Sequence, residues 1–514
     1  MSVVHVFSRA IRSYDAPSVR VEVDLSPGLP CFTVVGLADT EVKEARERVR
    51  AAVINSGLRF PIDRRITVNL APADLPKDSS HFDLPIAIGI LAADGQIPPS
   101  ALNRYEFAGE LSLNGTMQGL RGSLVMALRV HEQNQQTQEV RGLVIPHDAI
   151  AEASWSGLPA IWGVMQLSQV IEGLCQTPEE AQWQLATPST ASPQVTHDIT
   201  LDAIDGQAMA KQALMLAAAG QHSLLLNGPA GCGKTMLAHA LWSLLPPMSQ
   251  AESLASACML SVAGQLHPER MGQRPWQAPH HSATAAALVG GGVPPRPGAV
   301  SLAHHGLLFL DELTEFKRPV LEQLREPLES GQVHVARGRH HTTFPANSQL
   351  IAAMNPCPCG YWGHPIKPCC CTPNQKQRYR SRLSAPWLDR IDMGLNLEPW
   401  LGQHTGTSTS LTQQEAASQV NAAHACALKR QGKPNAQLCV NELDTHAALN
   451  RKSVDLLQAL VEAQGVSMRR LHRMQRVART QADLNGHTQV EIEDLTMAIS
   501  MQTALDLTVG DSPL

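Results

Sequence analysis

One segment of this chain constrains its fold more than any other: a short apolar run that leads directly into a glycine-rich loop. Residues 223–227 read SLLLN, and residues 228–235 read GPAGCGKT, which has the spacing G-x-x-x-x-G-K-T. Glycines let the backbone curl so that successive N–H groups point at phosphate oxygens, and the helix that follows adds the positive end of its dipole. This pattern predicts an α/β domain with a parallel sheet that binds the phosphates of ATP.

The residues of this loop have separate expected roles. Lys234 can reach the β- and γ-phosphates, and the Thr235 hydroxyl can ligate Mg²⁺. A glycine-rich turn that contains lysine by chance is the alternative, and a chance match in a chain of this length has a probability of about 2%. The expected nucleotide contacts are Gly228, Pro229, Ala230, Gly231, Cys232, Gly233, Lys234 and Thr235.

Polar side chains follow two further apolar runs. Residues 306–310 end in Asp311 and Glu312, and residues 349–353 lead to Asn355. The carboxyl ends of parallel strands face one crevice, so we expect Asp311 to hold Mg²⁺ and Glu312 to orient and deprotonate the attacking water. Asn355 can position the water or the γ-phosphate, although asparagine before proline is also a common turn former. The three runs together predict hydrolysis and not binding alone.

Four longer stretches around these runs are more distinctive than the runs themselves. They read RPWQAPHHSAT at 274–284, LVGGG at 288–292, FLDEL at 309–313 and AAMNPCPCG at 352–360. With them, the central part of the chain resembles the AAA+ ATPases, and within these the branch that contains the ATPase subunit of magnesium chelatase. The chain from about residue 3 to residue 505 resembles the ComM family, also called YifB.

The resemblance implies roles for three polar residues. Asn355 falls at sensor 1, Arg390 falls at the arginine finger, and Arg469 falls at sensor 2, where it would contact nucleotide. An arginine that acts on the ATP of a neighbouring subunit implies a ring, because only assembly completes the charge stabilisation of the transition state. The alternative for Arg390 is a salt bridge with Asp389 or Asp392, and the alternative for Arg469 is a solvated basic helix face.

The N-terminal unit resembles the ChlI-type α/β domain, which is related to the proteolytic domain of Lon. One matching stretch is VNLAPADLPK at 68–77. Lon proteases use a serine nucleophile and a lysine base, but here Ser79 and Ser80 are out of register with the expected serine. The segment where the base should fall offers only Arg121, which stays protonated and cannot act as a base. We therefore expect a structural or substrate-docking domain and not a peptidase.

Two polar stretches without a hydrophobic period divide the chain. Residues 177–198 and 401–412 are predicted to be linkers. They separate an N-terminal α/β unit at 1–176, a central unit with a parallel sheet at 199–400, and a C-terminal helical lid at 413–514.

The chain has eleven cysteines, and five of them fall within residues 357–371. The first residues lack a long apolar run, so we expect no signal peptide, no membrane anchor and a reducing, cytoplasmic location. The pattern C-x-C, nine residues, C-x-C can place four thiolates around one tetrahedral Zn²⁺. Reduced thiols in an exposed loop, or a disulfide formed on oxidation, are the alternatives. The candidate zinc ligands are Cys357, Cys359, Cys369 and Cys371.

The charge of the chain excludes one class of DNA-binding protein. With 41 Lys and Arg against 46 Asp and Glu, the formal net charge is −5, which rules out a uniformly basic coat that wraps DNA. Local basic elements remain, since residues 333–344 alternate, turn at Gly338 and alternate again, as a β-hairpin does. We expect Arg337 and Arg339 at its tip to hold DNA phosphates without reading bases. An ordinary exposed hairpin is the alternative.

The resemblance as a whole implies a hexameric ATP-driven motor that assembles with ATP or DNA and acts on single-stranded and branched DNA. In that family the role is branch migration, a helicase activity that promotes homologous recombination of incoming DNA in natural transformation, with recombination proteins as further partners. A chelatase-type ATPase subunit that drives metal insertion into a tetrapyrrole is the first alternative, and the fused N-terminal unit argues against it. A scaffold that binds nucleotide only to assemble is the second, and the intact set Lys234, Asp311, Glu312 and Arg390 argues against it.

Overall fold

The computed structural model of the protein describes residues 3–36, 40–75, 77, 80–137, 140–187, 198–337, 340–398, 411–464 and 466–506. These residues form an N-terminal α/β unit, a central unit with a parallel sheet, and a helical C-terminal region. The expected fold class is therefore confirmed. Within the described ranges, no helix combines the length and the apolar character that crossing a membrane requires.

In the part of the N-terminal unit that the structure describes, there are ten strands. They are β1 (Val4–Arg9), β2 (Ser18–Ser26), β3 (Cys31–Val35), β4 (Arg65–Ala71), β5 (Tyr105–Phe107), β6 (Glu110–Leu111), β7 (Met117–Gln118), β8 (Gly142–Pro146), β9 (Ile161–Val164) and β10 (Gln184–Leu185). Eight of them form one mixed sheet in the order β10-β9-β8-β5-β1-β2-β4-β3, and β6 pairs with β7 in a separate ribbon.

Six α-helices among the described residues accompany this sheet. They are α1 (Thr40–Asn55), α2 (Asp83–Ala93), α3 (Pro99–Leu102), α4 (Ser123–Gln136), α5 (Ile150–Ala153) and α6 (Leu167–Cys175). Helix α2 lies between α1 and the β1–β2 pair, so residues 84–92 are all buried. This arrangement explains why its sequence is apolar on every side and shows no amphipathic stripe.

The N-terminal sheet extends into the segment 177–198 that the sequence predicts to be a linker. Strand β10 pairs with β9 in antiparallel fashion, and Trp183 beside it is buried. The indole N–H of Trp183 donates a hydrogen bond to the Gln169 carbonyl oxygen at 2.8 Å. These contacts hold the first half of the segment on the N-terminal unit.

Within its described ranges, the central unit contains nine strands. They are β11 (Leu224–Asn227), β12 (Trp276–Gln277), β13 (Gly290–Gly291), β14 (Arg296–Pro297), β15 (Leu307–Leu310), β16 (Gln332–Arg337), β17 (His340–Pro345), β18 (Gln349–Met354) and β19 (Met393–Asn396). Five form a parallel sheet in the order β12-β15-β18-β11-β19. Strands β11 and β15 are fully buried, because helices cover both faces of the sheet, and their sequences are therefore unbroken apolar runs.

The described residues of the same unit form nine α-helices. They are α7 (Ala208–Gly220), α8 (Lys234–Leu244), α9 (Gln250–Ala263), α10 (Ala285–Val289), α11 (Ala299–Leu302), α12 (Arg318–Gln323), α13 (Arg325–Ser330), α14 (Pro373–Arg380) and α15 (Ala385–Leu388). Helix α9 contacts the N-terminal unit through α4, where the Gly122 N–H donates to the Ser261 carbonyl oxygen at 3.1 Å.

The described residues after 411 are helical, as expected. The helices are α16 (Gln413–Gln431), α17 (Val440–His446), α18 (Arg451–Gln464), α19 (Met468–Asn485) and α20 (Ile492–Thr503). Helix α16 begins with a capping box, in which the Thr412 hydroxyl accepts from the Glu415 N–H and the Glu415 carboxylate accepts from the Thr412 N–H. Helices α16 and α19 pack on α7, which joins the lid to the core of the central unit.

Candidate nucleotide-binding site

The phosphate-binding loop lies between β11 and α8, at the carboxyl edge of the parallel sheet. Gly231 and Gly233 have φ angles of +82° and +86°, a region in which any residue with a side chain would be strained. Gly233 is also the residue directly before α8. The loop therefore curls back and leads its last N–H groups into the amino end of an eleven-residue helix, which is the expected anion-binding geometry.

Lys234 reaches across this loop to the next strand of the sheet. Its Nζ donates to the carbonyl oxygens of Gly228 at 2.8 Å and Pro229 at 2.9 Å, and to Asn355 Oδ1 at 2.9 Å. Burial lowers the pKa of Lys234, while the nearby Asp311 carboxylate opposes that shift. The structure thus brings together a lysine and an asparagine that are 121 positions apart.

Two oxygen donors meet beside this lysine. The Thr235 hydroxyl donates to Asp311 Oδ2 at 3.3 Å, because α8 and the end of β15 face the same crevice. A hydroxyl and a carboxylate are the hard oxygen ligands that Mg²⁺ prefers, so the two residues fit the expected magnesium site. The Glu312 N–H donates to Asp311 Oδ1 at 2.8 Å and fixes the orientation of the carboxylate.

Glu312 has a partner that sequence reasoning did not single out. Its Oε2 lies 3.1 Å from His281 Nδ1, and its φ of +50° is unusual for a residue with a side chain. The feature of the sequence that could have pointed to this partner is the His280–His281 pair within the distinctive 274–284 stretch.

The structure places Arg390 and Arg469 away from this loop. Both line a cavity of about 900 Å³ between the central unit and the lid, and no residue of 228–235 is among those that line it. Arg473 and Arg476 line the same cavity and make it strongly basic. Within one chain, therefore, the two arginines line a cavity that the phosphate-binding loop does not line.

Arg390 is held in place by groups on neighbouring helices. Its Nη2 lies 2.7 Å from Glu329 Oε1, its Nε donates to the Arg325 carbonyl oxygen at 3.3 Å, and its side chain is only 11% exposed. The alternative weighed from sequence named Asp389 or Asp392 as the partner, but the ion pair is with Glu329. Asp392 accepts instead from the Ser223 N–H at 3.0 Å.

Four cysteine side chains converge in the segment between β18 and α14. The Sγ of Cys357 lies 3.4 Å from that of Cys359 and 3.6 Å from that of Cys369, and the Cys359–Cys369 distance is 3.5 Å. With Cys371, all four sulfurs lie within 4.8 Å of one another. Burial opposes ionisation of Cys359, but hydrogen bonds from the backbone N–H of Tyr361 and from Cys357 lower its pKa to about 6. The cluster can hold one metal ion.

The predicted hairpin is present, but its tip is not described. Strands β16 and β17 pair in antiparallel register from Gln332 opposite Pro345 to Arg337 opposite His340. Gly338, Arg339 and the side chain of Arg337 lie outside the described residues.

The residues near the position expected for a Lon-type catalytic serine have partners within the N-terminal unit. The Ser80 hydroxyl donates to the Glu110 carboxylate, and the buried Lys77 donates through Nζ to the Pro72 carbonyl oxygen. Ser79 lies outside the described residues.

Three stretches of the chain match families of magnesium-chelatase proteins. Residues 200–404 match the family described as magnesium chelatase, subunit ChlI; residues 21–149 match subunit ChlI of Mg-chelatase; and residues 410–502 match its C-terminal family. Together these matches cover parts of all three units.

Two full-length relatives are similar to the chain. YifB of Salmonella typhimurium is 43% identical over 509 residues and 97% of each chain. The competence protein ComM of Haemophilus influenzae is 41% identical over 512 residues and 99% of each chain. A shorter similarity, 30% over 196 residues, links 32% of this chain to 29% of the magnesium-chelatase 67 kDa subunit of Heliobacterium mobile.

Proposed function

The chain belongs to the ComM/YifB family of magnesium-chelatase-like AAA+ ATPases, and on that premise we propose that it is a ring-shaped motor that hydrolyses ATP to move on branched DNA. The observation that carries the proposal is the meeting of Lys234, Thr235, Asp311 and Asn355 at one edge of the parallel sheet. These residues come from three separate strands or strand ends, so their convergence reflects the whole fold of the central unit.

The chain's own residues divide the work of hydrolysis. Lys234 and the N–H groups at the amino end of α8 bind the phosphates, and Asn355 fixes the lysine. Thr235 and Asp311 would hold Mg²⁺, which neutralises charge on the β- and γ-phosphates when it is bound. Glu312 accepts the proton of the attacking water through its carboxylate.

Arg390 and Arg469 act in this proposal on the nucleotide of a neighbouring subunit. Their location in a basic cavity that excludes the loop 228–235 supports this assignment. Hydrolysis then requires a closed ring, in this proposal a hexamer, because the charge that stabilises the transition state is supplied from the adjacent chain. The N-terminal unit is proposed to be a docking domain on this ring.

The proposed DNA substrate rests on two observations. The relative from Haemophilus influenzae is named a competence protein, and the β16–β17 hairpin carries arginines toward its tip. Arg337 and Arg339 would contact phosphates of single-stranded and branched DNA. In this proposal the ring works in the cytoplasm together with recombination proteins, and it promotes branch migration when incoming DNA is recombined. Replacing both arginines with alanine should lower the slope of log affinity against log salt by about 1 for each phosphate that is no longer neutralised.

One experiment tests the whole proposal. ATPase rates are measured with no DNA, with duplex, with single strands and with forked or four-way branched DNA, and unwinding is followed on the branched substrates. We expect the highest rate with branched or single-stranded DNA, and a Glu312→Gln variant that binds both ligands without hydrolysis or unwinding. An ATPase rate that is the same with and without DNA, together with no unwinding of the branched substrates, would overturn the proposal. Stimulation by a tetrapyrrole with a partner protein would favour the chelatase alternative.

A structural zinc ion is part of the proposal. Four thiolates suit Zn²⁺, and the use of all four sulfurs leaves no open position for catalysis. The convergence of Cys357, Cys359, Cys369 and Cys371 supports this site.

A further inference from the structure

The four-cysteine cluster lies directly against the phosphate-binding loop, and this contact has a consequence for nucleotide binding. We propose that a zinc ion held by Cys357, Cys359, Cys369 and Cys371 tethers the phosphate-binding loop through Gly360, so that affinity for ATP depends on metal occupancy. The inference rests on the proposed function, because it concerns the same ATP site. It adds a metal-dependent control of that site.

The distances between the sulfurs indicate whether the cluster suits a single metal ion, a disulfide or an iron–sulfur cluster. A tetrahedral ion with metal–sulfur bonds of about 2.3 Å places its sulfurs about 3.8 Å apart. The three distances among Cys357, Cys359 and Cys369 are 3.4–3.6 Å, close to that value and far longer than the bond of about 2.05 Å in a disulfide. An iron–sulfur cluster would hold its thiolates further apart, because inorganic sulfides lie between them. A single ion therefore fits best.

Gly360 connects the cluster to the loop. Its N–H donates to the Cys357 carbonyl oxygen at 3.0 Å, which closes a tight turn around the first two cysteines. Its carbonyl oxygen accepts from the Ala230 N–H of the phosphate-binding loop at 3.1 Å. Its φ is +76°, and a Cβ built there would lie 3.4 Å from the Ala230 Cβ, so the two backbones approach closely.

A second connection runs through Asn355, which lies two residues before Cys357. Asn355 Oδ1 accepts from Lys234 Nζ at 2.9 Å. The cluster therefore anchors the loop at two points, Ala230 in its first half and Lys234 at its end. The N–H groups of Lys234 and Thr235, in the first turn of α8, have no partner within the helix and can serve phosphate oxygens.

The turn around the cysteines is held by single hydrogen bonds and side-chain contacts, and not by a helix or strand. Residues 355–372, all of which the structure describes, contain no helix or strand between the end of β18 and the start of α14. One support comes from α14, where the Arg380 guanidinium lies 4.2 Å from the centre of the Trp362 ring, while the Trp362 N–H donates to Cys357 Sγ at 3.3 Å. A bound metal ion would replace the thiol protons and bond all four sulfurs at once, a restraint that the protein groups do not supply by themselves. Removal of the metal should therefore release the Gly360 carbonyl and the loop that it orders.

The test compares the full-length wild-type protein with four altered samples. Metal content is measured by elemental mass spectrometry, the Kd for a fluorescent ATP analogue by titration, and exchange of the Ala230 amide by hydrogen–deuterium exchange. Cys369→Ser removes one ligand, and Cys370→Ser is the matched control because Cys370 is exposed and lies outside the cluster. The other two samples are Lys234→Ala and wild-type protein stripped by a chelator and then resupplied with zinc.

We expect one zinc per wild-type chain and none in Cys369→Ser. Loss of the metal should raise the Kd about five- to tenfold, the factor that loss of one hydrogen-bonded tether produces, and should speed exchange at Ala230. Cys370→Ser should match the wild type, Lys234→Ala should keep its zinc, and zinc added to the stripped protein should restore its affinity.

Two results would overturn the tether alone: wild-type protein that binds ATP but no zinc, or metal loss that leaves both the Kd and the Ala230 exchange unchanged. A different result, in which the wild type binds the analogue no better than Lys234→Ala, would contradict the proposed ATP site itself. The stripped and resupplied sample keeps the test valid if Cys369→Ser fails to fold, because its sequence is unaltered.

Discussion

From the contact between His281 and Glu312 we predict how the kcat of ATP hydrolysis changes when His281 is replaced. The side chains are 34% and 54% exposed, and their closest atoms, His281 Nδ1 and Glu312 Oε2, are 3.1 Å apart. At this exposure water screens the interaction, so it is worth at most about 1 kcal/mol. In the proposed mechanism, the Glu312 carboxylate must leave His281 before it can orient the attacking water. An interaction of about 1 kcal/mol therefore lowers the population of the free carboxylate by up to about fivefold. His281→Ala is expected to raise basal kcat by about two- to fivefold.

The assay is steady-state ATP hydrolysis without DNA, with kcat and KM determined separately. KM should stay close to the wild-type value, because the phosphate contacts of residues 228–235 do not involve His281. His267→Ala is the control, since His267 makes a comparable exposed contact with Glu269, Nδ1 to Oε1 at 3.5 Å, outside the site. A kcat of His281→Ala at or below the wild-type value would refute the reasoning, as would an equal rise in His267→Ala.

Three further predictions concern the loop, the ring and stability. Lys234→Ala should abolish nucleotide binding and weaken ring formation, which mass measurement with and without ATP detects. Arg390→Ala should lower ATPase kcat about 10³-fold while each chain still binds ATP, so loss of binding in a titration would contradict a role across subunits. Burial lowers the pKa of His81 from its usual value of about 6.5 to about 4. Between these two pH values the unfolded chain binds the proton and the folded chain does not, so a falling pH favours unfolding. Stability should drop by about 2 kcal/mol between pH 6.5 and pH 5, and urea unfolding of His81→Gln should show a smaller drop.

The phosphate-binding loop could be predicted from sequence because its conformation is local. Two glycines at positive φ, an apolar strand before them and a helix after them all lie within about twenty residues. The same holds for the strands that end at Asp311 and near Asn355, whose unbroken apolar runs indicate burial on both faces. Parallel order then requires that their carboxyl ends share one crevice.

Long-range partners were beyond this reasoning. For Arg390, the alternative to an arginine finger was a salt bridge with Asp389 or Asp392, but the side chain pairs with Glu329, which comes from α13. Likewise, the segment after residue 177 looks polar, yet Trp183 within it is buried against the N-terminal sheet. A single aromatic side chain outweighs several polar neighbours, because its burial removes a large apolar area from water.

The sequence by itself indicated the fold class, the residues of the candidate ATP site and the four cysteines that can hold a metal. Only the tertiary structure decided which of these features touch. The Gly360 carbonyl meets the Ala230 N–H across 130 positions, and Arg390 shares a cavity with Arg469 that excludes the loop 228–235. Local backbone geometry follows from a few neighbouring residues. Contacts between residues far apart in sequence depend instead on the sum of many weak packing interactions throughout the chain.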